Sequence, residues 1–444
     1  MNLKISRPAD LSFSRVFLGL YGTLLFIGLL SMVIASSYFG LRPMEMLSFK
    51  ADDKWCDQVT SGVGNHCFSD YQTPINLVKE ANPWVFGNSF TPTAMFPHIL
   101  SGWAKYGFIG PEFTLYLYLI IGIIAISLPV FFALHSVSIF IRIPSALSLS
   151  VLSTAGLNSL DRGTSAIFAT PFIYLAAREF INKNSRNILI WVLLASFIRP
   201  QFILLSLFLL ALPAIKHFLM SLGIFLGSII LGFALWPGDR KLHLQSWLTM
   251  ISGYDQYAPS VSDWPINISA GKSLAKITSF FTEKFPSQNI SSDLNTWALG
   301  NFKLIGIILA ISVFIIAGVL GSKVSNSIVV FLVVSVPALI PGVSWAYYLI
   351  FLLPIAALLI TLPRSHIGLL DQDNQLNVFS KGHILFTTAV VLAPFVLPTA
   401  FDPMNTSLLA QFQGPLILLL VIDLIMVGAW QIMKSFKPFL LKTH

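Results

Sequence analysis

Long apolar runs separated by short polar loops make up most of the chain. The first run, Val16 to Ser36, is long enough for a helix to cross the roughly 30 Å hydrocarbon core of a membrane. Further runs lie at about 112–134, 141–157, 161–177, 188–198, 200–213, 218–236, 302–321, 326–341, 345–362, 384–401 and 413–433. The pattern predicts an all-α, polytopic integral membrane protein with about twelve transmembrane helices.

Two segments do not fit simple membrane-crossing helices. The run at 91–108 has to enter and leave on the same side if both termini are cytoplasmic, so we expect it to be re-entrant. The runs at 188–198 and 200–213 are each about 15–20 Å long as helices, too short to cross at normal tilt. They predict a hairpin of half-helices whose apex includes Arg199 and Gln201. Irregular backbone and an arginine are tolerated inside a bilayer only where they line a cavity.

Composition agrees with the membrane assignment. Of 444 residues, 55% are hydrophobic and 10% are charged, and mean hydropathy is +0.78, whereas soluble proteins carry about 25% charged residues. The net charge of +8 comes from Lys and Arg that lie mainly in short loops. Positive loops are cytoplasmic as a rule, so we expect a multi-pass plasma-membrane protein with both termini inside. Nucleic-acid binding is not expected.

Two long polar segments, 37–92 and 237–301, are then outer loops of one membrane-embedded domain covering 1–444. Both mix aromatic and charged residues, as folded caps with interfacial helices do. Cys56 and Cys67 lie in the first loop, which faces an oxidising compartment. We expect them to form a short disulfide rather than part of a metal cluster.

Several short motifs follow one another in a characteristic order. They are Ser69-Asp70-Tyr71, Asn82-Pro83-Trp84, the Pro-containing run Thr91 to Pro97, Asp161-Arg162-Gly163-Thr164-Ser165, Arg199-Pro200, Asn267-Ile268-Ser269 with Lys272, and Ser344-Trp345 with Tyr347-Tyr348. In this order and placement they resemble the polyprenyl-phosphate-sugar-dependent glycosyltransferases of mannosyltransferase family 87, in the GT-C superfamily. The resemblance covers the chain up to about Leu362. Thr164 stands where the family usually has Asn, and Tyr347-Tyr348 where a His is common.

The resemblance implies transfer of one sugar, with inversion, from a polyprenyl phosphate in the outer leaflet. Arg199 is suited to bind the donor phosphate, because a guanidinium offers two charge-assisted hydrogen bonds to phosphate oxygens. Asp70 is the candidate catalytic base that removes the proton of the acceptor hydroxyl. A helix N-cap is the alternative role for Asp70, and Asp52 and Asp53 are reserve bases.

Further residues are candidates for substrate contact. Arg162 and Lys272 are assigned to the donor phosphate, and substrate binding is assigned to Tyr71, His98, Asp161, Gln201, Asn267, Trp345, Tyr347 and Tyr348. Each of these also has a purely structural interpretation. Asp161 and Arg162 could form a turn with an adjacent ion pair, Asn267 and Lys272 could cap the loop, and the three aromatic residues could belong to an interfacial belt.

The partners implied are a lipid-linked sugar donor, a glycolipid or polysaccharide acceptor and the bilayer itself. No Gly-rich phosphate loop precedes a helix and no paired acidic spacing is present, so we expect neither a cofactor nor a metal. The sugar is expected to be mannose, and a pentose such as arabinose is the alternative. From other classes, a lipid or polysaccharide flippase and an envelope-polymer polymerase or ligase remain open.

Overall fold

The structure is a computed structural model. It describes residues 68–78, 80–85, 90–107, 109–135, 138–254, 267–284, 297–298, 300–340, 344, 346–361, 390–391, 408–440 and scattered positions between 21 and 37. Within these residues the regular structure is helical and contains no strand, which agrees with the predicted all-α class. Most of the first predicted span and most of the run at 384–401 lie outside the described residues, as do Cys56 and Cys67.

Fifteen α-helices lie within the described residues. The first six are α1 (Ser69–Leu77), α2 (Phe96–Tyr106), α3 (Pro111–Ala133), α4 (Ile139–Ser150), α5 (Thr154–Arg162) and α6 (Thr170–Ile181). The next five are α7 (Ser185–Ile198), α8 (Leu207–Ala211), α9 (Ile215–Leu235), α10 (Arg240–Tyr254) and α11 (Ala270–Lys284). The remaining four are α12 (Phe302–Val313), α13 (Asn326–Leu339), α14 (Leu353–Thr361) and α15 (Leu408–Leu440).

Four of the described helical segments are long and apolar enough to cross a membrane. They are Phe113–Ala133, Ile215–Leu235, Phe302–Val319 and Gln413–Ser435, the third being α12 with its π-helical extension. Their outer faces expose large apolar side chains such as Ile120, Leu226 and Ile308. Continuous apolar surface of this kind suits contact with lipid rather than with water.

Other predicted runs are divided into shorter helices. The run at 141–157 is not one helix, because α4 ends at Ser150 and Ser153 caps α5 by accepting the amide N–H of Gly156 at 3.0 Å. The run at 161–177 is likewise broken, since Gly163 ends α5 in the left-handed region and a 3-10 helix, Ser165–Ala169, precedes α6. A serine N-cap begins a new helix and a left-handed glycine ends one, even where the surrounding sequence stays apolar.

The predicted interruption at Arg199 and Pro200 is confirmed. Helix α7 ends at Ile198, Arg199 is extended with φ −141° and ψ 118°, and a 3-10 helix begins at Pro200. Proline lacks an N–H and disfavours the helical conformation of the residue before it, so the break follows from the sequence. The second arm differs from the expected half-helix, because it is 3-10 over Pro200–Ser206 and α-helical only in α8.

The core lies around α13. Every residue of α13 from Ile328 to Leu339 is buried, as expected for a helix that is apolar on all sides. Helix α2 is short, since its 11 residues extend over about 16 Å, half of a hydrocarbon core. The Tyr106 hydroxyl on α2 donates to Asn76 Oδ1 on α1 at 2.9 Å. This bond ties the segment expected to be re-entrant to the helix that carries Asp70.

Candidate active site

Asp70 and Arg162 form an ion pair between two helix ends. Asp70 lies in the first turn of α1, where a carboxylate is favoured by the helix dipole, and Arg162 is the last residue of α5. Arg162 Nη2 donates to Asp70 Oδ1 at 2.9 Å, and the two side chains are 16% and 17% exposed. The carboxylate is therefore oriented and partly shielded from water.

A tight turn at Gly163 brings these helices together. Gly163 has φ +62°, and a Cβ placed on it would lie 2.8 Å from the Cβ of Tyr71. The Tyr118 hydroxyl donates to the Gly163 carbonyl oxygen at 3.0 Å, and the Tyr118 ring packs 4.5 Å from that of Tyr71. Only glycine fits this combination of left-handed backbone and close approach. The turn thereby fixes how α1 sits against the end of α5.

Arg199 reaches the same turn from the helix break. Its side chain is 7% exposed, and its Nη2 donates to Thr164 Oγ1 at 2.9 Å. The guanidinium carbon lies 4.4 Å from the centre of the Phe90 ring, within the range of a cation–π contact. Arg162 and Thr164 flank Gly163, so one turn contacts both predicted arginines. The structure thus brings Asp70, Arg162 and Arg199 together.

His98 lies in the same neighbourhood and is fully buried. Its ring centre is 5.3 Å from that of Phe90, and neither ring nitrogen has a hydrogen-bond partner among the described residues. Burial, assisted by the positive charge of Arg199 and opposed by Asp70, lowers the pKa of His98 to about 3. His98 is therefore neutral near pH 7, with one N–H donor and one acceptor nitrogen.

Other buried polar atoms around this turn also lack hydrogen-bond partners within the described structure. They include the Tyr71 hydroxyl and Ser165 Oγ. Burial, followed by the nearby Tyr106, raises the pKa of Tyr71, so its hydroxyl stays protonated and able to donate. Buried polar atoms in proteins are nearly always hydrogen-bonded. Their concentration here indicates a place where a polar ligand or ordered water completes the hydrogen bonding.

An apolar groove of about 840 Å³ is lined by residues from the same elements as several of these side chains. Its lining includes Phe96, Ile99 and Trp103 of α2, Phe197 of α7, and Leu235 and Trp236 at the end of α9. Pro92 also lines it, and Gly232 approaches Pro92 so closely that a Cβ there would lie 2.6 Å from Pro92 Cβ. Phe197 is two residues before Arg199 and Pro92 is two after Phe90. The groove therefore runs beside the elements that hold the buried arginine.

Asn267 joins the polar segment 237–301 to the residues before α14. Its Oδ1 accepts the backbone N–H of Ser269 at 3.0 Å and of Ser344 at 3.1 Å, while the Ile268 N–H donates to the Ser344 carbonyl oxygen at 2.7 Å. The Ser344 hydroxyl in turn donates to the carbonyl oxygen of Ala338 near the end of α13. The geometry gives Asn267 a structural task, and its predicted contact with substrate stays a prediction.

The same end of α13 also receives Gln201. Gln201 Nε2 donates to the Pro337 carbonyl oxygen at 3.5 Å, next to the carbonyl that accepts from Ser344. A continuous series of contacts therefore links the hairpin apex with the start of α11. Tyr348 is placed in the apolar core, where its ring stacks 5.2 Å from that of Phe351.

Lys276 is a charged residue that the motif analysis missed. It lies one turn after Lys272 on α11, and its Nζ donates to the Asn267 carbonyl oxygen at 3.3 Å. Burial, together with the charge of Lys272, lowers the pKa of Lys276 to about 7. The four-residue spacing of the two lysines was a visible signal that they share a helix face. Thr164 and Phe90, the contacts of Arg199, had no comparable signal.

Some predicted residues cannot be placed. Trp345 and the side chains of Asp161 and Tyr347 lie outside the described part of the chain, as do Asp52, Asp53 and the cysteines. Among the residues described, no three His, Cys, Asp or Glu side chains are grouped closely enough to hold a metal ion.

Comparison with known proteins gives no match to a family model, to a curated protein or to a solved structure. The resemblance to mannosyltransferase family 87 therefore rests on the motifs and their order.

Proposed function

We propose that the protein is an integral-membrane glycosyltransferase that moves a hexose, with mannose the expected sugar, from a polyprenyl phosphate to an envelope glycolipid or polysaccharide. The reaction takes place on the outer face of the plasma membrane, within a bundle of about twelve spans that includes re-entrant and half-helices. One observation carries the proposal. A buried arginine and an oriented carboxylate meet at one turn beside an apolar groove.

The donor phosphate is held by Arg199. Charge develops on the phosphate as the bond between its oxygen and the anomeric carbon breaks, and a fixed guanidinium stabilises that charge most effectively where water is excluded. The 7% exposure of Arg199 meets this condition. Arg162 holds the carboxylate of Asp70 at 2.9 Å, so its part in phosphate binding is secondary to orienting the base.

Asp70 takes the proton of the acceptor. The acceptor hydroxyl oxygen attacks the anomeric carbon, the carbon–oxygen bond to phosphate breaks with its electron pair moving to the phosphate oxygen, and the hydroxyl proton passes to Asp70. A single displacement of this kind inverts the anomeric centre. Because Arg162 restrains one carboxylate oxygen, Asp70 is positioned before the acceptor arrives.

The groove accommodates the first isoprene units of the donor. A chain of isoprene units is apolar, and the groove presents mostly aromatic and aliphatic side chains from α2, α7 and the end of α9. A lipid chain in this groove would direct its phosphate towards the hairpin apex. Tyr71, Gln201 and Lys272 are proposed to contact the sugar or phosphate, and no metal is required because Arg199 supplies the positive charge.

The test is a transfer assay with purified protein in liposomes. Polyprenyl-phosphate mannose and polyprenyl-phosphate arabinose are supplied separately with an extract of envelope glycolipids, and products are measured by mass spectrometry. We expect one added hexose from the mannose donor. If only a pentose is added, from the arabinose donor, the proposed sugar changes from mannose to arabinose. Lipid translocation across the liposome without any transfer would overturn the proposal in favour of a flippase.

A further inference from the structure

The burial of His98 is unfavourable in the structure as it stands. Its side chain is completely buried and neither nitrogen has a hydrogen-bond partner among the described residues. A polar group buried without a partner destabilises a protein relative to an apolar group of similar size. The first turn of α2 would therefore be more stable with leucine at this position. An arrangement that lowers stability in this way is typical of a functional position.

Two aromatic and cationic contacts place His98 next to the proposed phosphate site. The rings of His98 and Phe90 are 5.3 Å apart, and Arg199 lies over the Phe90 ring at 4.4 Å. The charges of Arg199 and Asp70 also act on the pKa of His98, in opposite directions. Phe90 is thus a shared neighbour of His98 and of Arg199, the residue proposed to bind the phosphate.

The chemistry of a neutral imidazole fits the head of a sugar phosphate. A neutral ring has one N–H donor and one acceptor nitrogen, whereas a protonated ring has two donors and no acceptor. Phosphate oxygens of a diester only accept hydrogen bonds, and sugar hydroxyls can donate them. One neutral histidine can therefore satisfy both of its nitrogens by bridging the phosphate and a hydroxyl of the same donor.

We propose that His98 binds the donor directly in this way, with its N–H on a phosphate oxygen that Arg199 also contacts and its other nitrogen accepting from a sugar hydroxyl. The inference rests on the proposed function, which supplies the class of ligand. It adds a residue that forms hydrogen bonds with the sugar as well as with the phosphate. Donor binding then satisfies both nitrogens, which have no partner among the described residues.

The distinguishing expectation is that stability and affinity change in opposite directions. His98→Leu removes two partnerless polar atoms, so the free protein should melt at a higher temperature. The same change removes a hydrogen bond to an anionic group and one to a hydroxyl, so affinity for the donor should fall by roughly tenfold to a hundredfold. A residue that only supports the fold would not show the first effect together with the second.

His243 offers a matched control. It is also a buried histidine, 2% exposed, and its Nε2 pairs with the carbonyl oxygen of Ala81 at 3.0 Å, while its Nδ1 has no partner among the described residues. His243→Leu therefore removes one hydrogen bond that is made in the free protein together with one partnerless nitrogen, whereas His98→Leu removes two partnerless nitrogens and no hydrogen bond. It should lower the melting temperature and leave unchanged the ratio of affinities for donor with and without sugar.

The experiment measures Kd by thermophoresis for polyprenyl-phosphate mannose and for polyprenyl phosphate, using the wild type, His98→Leu, His98→Gln and His243→Leu. We expect His98→Leu to weaken binding of polyprenyl-phosphate mannose more than binding of polyprenyl phosphate. His98→Gln, whose amide both donates and accepts, should recover part of the difference. A wild-type ratio of the two affinities in both His98 variants would overturn the inference while leaving the proposed function intact. A wild-type protein that binds neither lipid would overturn the proposed function and the inference with it.

Discussion

The helix break at Arg199 and the middle of α13 are both buried, yet they are built from opposite kinds of residue. At the break the backbone is extended and a guanidinium donates to the hydroxyl of Thr164. In α13 the helix is regular, and the buried residues from Ile328 to Leu339 are apolar apart from Ser335. Both lie inside the same bundle, since Gln201 beside the break bonds to the Pro337 carbonyl oxygen of α13.

The comparison shows that a region suited to stabilising the fold and a region suited to binding a polar ligand can lie in direct contact, here through Gln201 and Pro337. Burying apolar side chains stabilises a core, and each buried polar atom without a hydrogen-bond partner destabilises it. A site for a charged ligand has to keep polar atoms buried before the ligand arrives. Substitutions at the break should therefore change mainly substrate binding, and substitutions in α13 should change mainly the free energy of unfolding.

The largest expected effect concerns the base. Asp70→Asn keeps the shape of the side chain but removes its ability to take a proton, so turnover should fall by roughly 10²-fold or more while KM changes little. Transfer is measured with purified protein in liposomes. Arg162→Gln is the control, because it breaks the same ion pair and leaves the carboxylate. Equal losses in both variants would show that Asp70 acts only as a partner of Arg162.

The next effect belongs to the core. Leu332 is fully buried in α13, and Leu332→Ala should lower the free energy of unfolding by about 2–5 kcal/mol through the cavity it leaves. Turnover per folded molecule should stay unchanged. Leu219→Ala is the control, since Leu219 is 60% exposed on α9 and should change stability little. A loss of turnover in folded Leu332→Ala protein would break the separation between core and site.

A smaller effect is expected at the phosphate-binding residue. Arg199→Ala should weaken donor binding by roughly tenfold to a hundredfold, as expected for losing hydrogen bonds between charged groups. Arg199→Lys should recover this only in part, because an ammonium is a point charge without the planar fork. Donor titration checks both variants against Arg186→Ala, which removes an exposed arginine from the first turn of α7, the helix that ends directly before Arg199. Wild-type affinity in Arg199→Ala would remove phosphate recognition from the proposal.

The smallest expected effect is at the turn that joins the two arginines. Gly163→Ala forces a side chain into the left-handed region at a cost of about 1–2 kcal/mol, and its Cβ pushes against Tyr71. We expect lower thermal stability together with reduced turnover, because α1 carries Asp70. Gly223→Ala, where a Cβ meets nothing within 4 Å, should be neutral or stabilising. Unchanged turnover in Gly163→Ala would show that the base does not depend on this packing.

Much of the fold could be predicted because lipid imposes length and apolarity on each span. The four long described helices match four predicted runs closely, at 112–134, 218–236, 302–321 and 413–433. The Arg199-Pro200 pair predicted the helix break that the structure has. The divisions at Ser153 and Gly163 were missed, since an average over an apolar run hides a single capping residue. Short helices in such runs follow from local hydrogen bonds, which mean hydropathy does not record.

Separate candidate residues could be named from the sequence, but their arrangement in space could not. Asp70 and Arg199 were recognisable as charges in unusual places. Their meeting at the turn between Arg162 and Thr164 was not, because Asp70 and Arg162 are 92 residues apart in the chain. The partnerless nitrogens of His98 depend on what every neighbouring element provides. Only the packed structure contains that information.

Under the proposed function, the turn at Gly163 has a consequence for which sugars could be transferred. Arg162 and Thr164, on its two sides, hold Asp70 and Arg199 respectively, so in the proposed reaction three consecutive residues set the distance between the proposed base and the donor phosphate. A bulkier sugar cannot gain room along that line unless the turn is rebuilt. Donor choice is therefore expected to evolve on the α2 side, where His98 and Phe90 come from a separate segment of the chain.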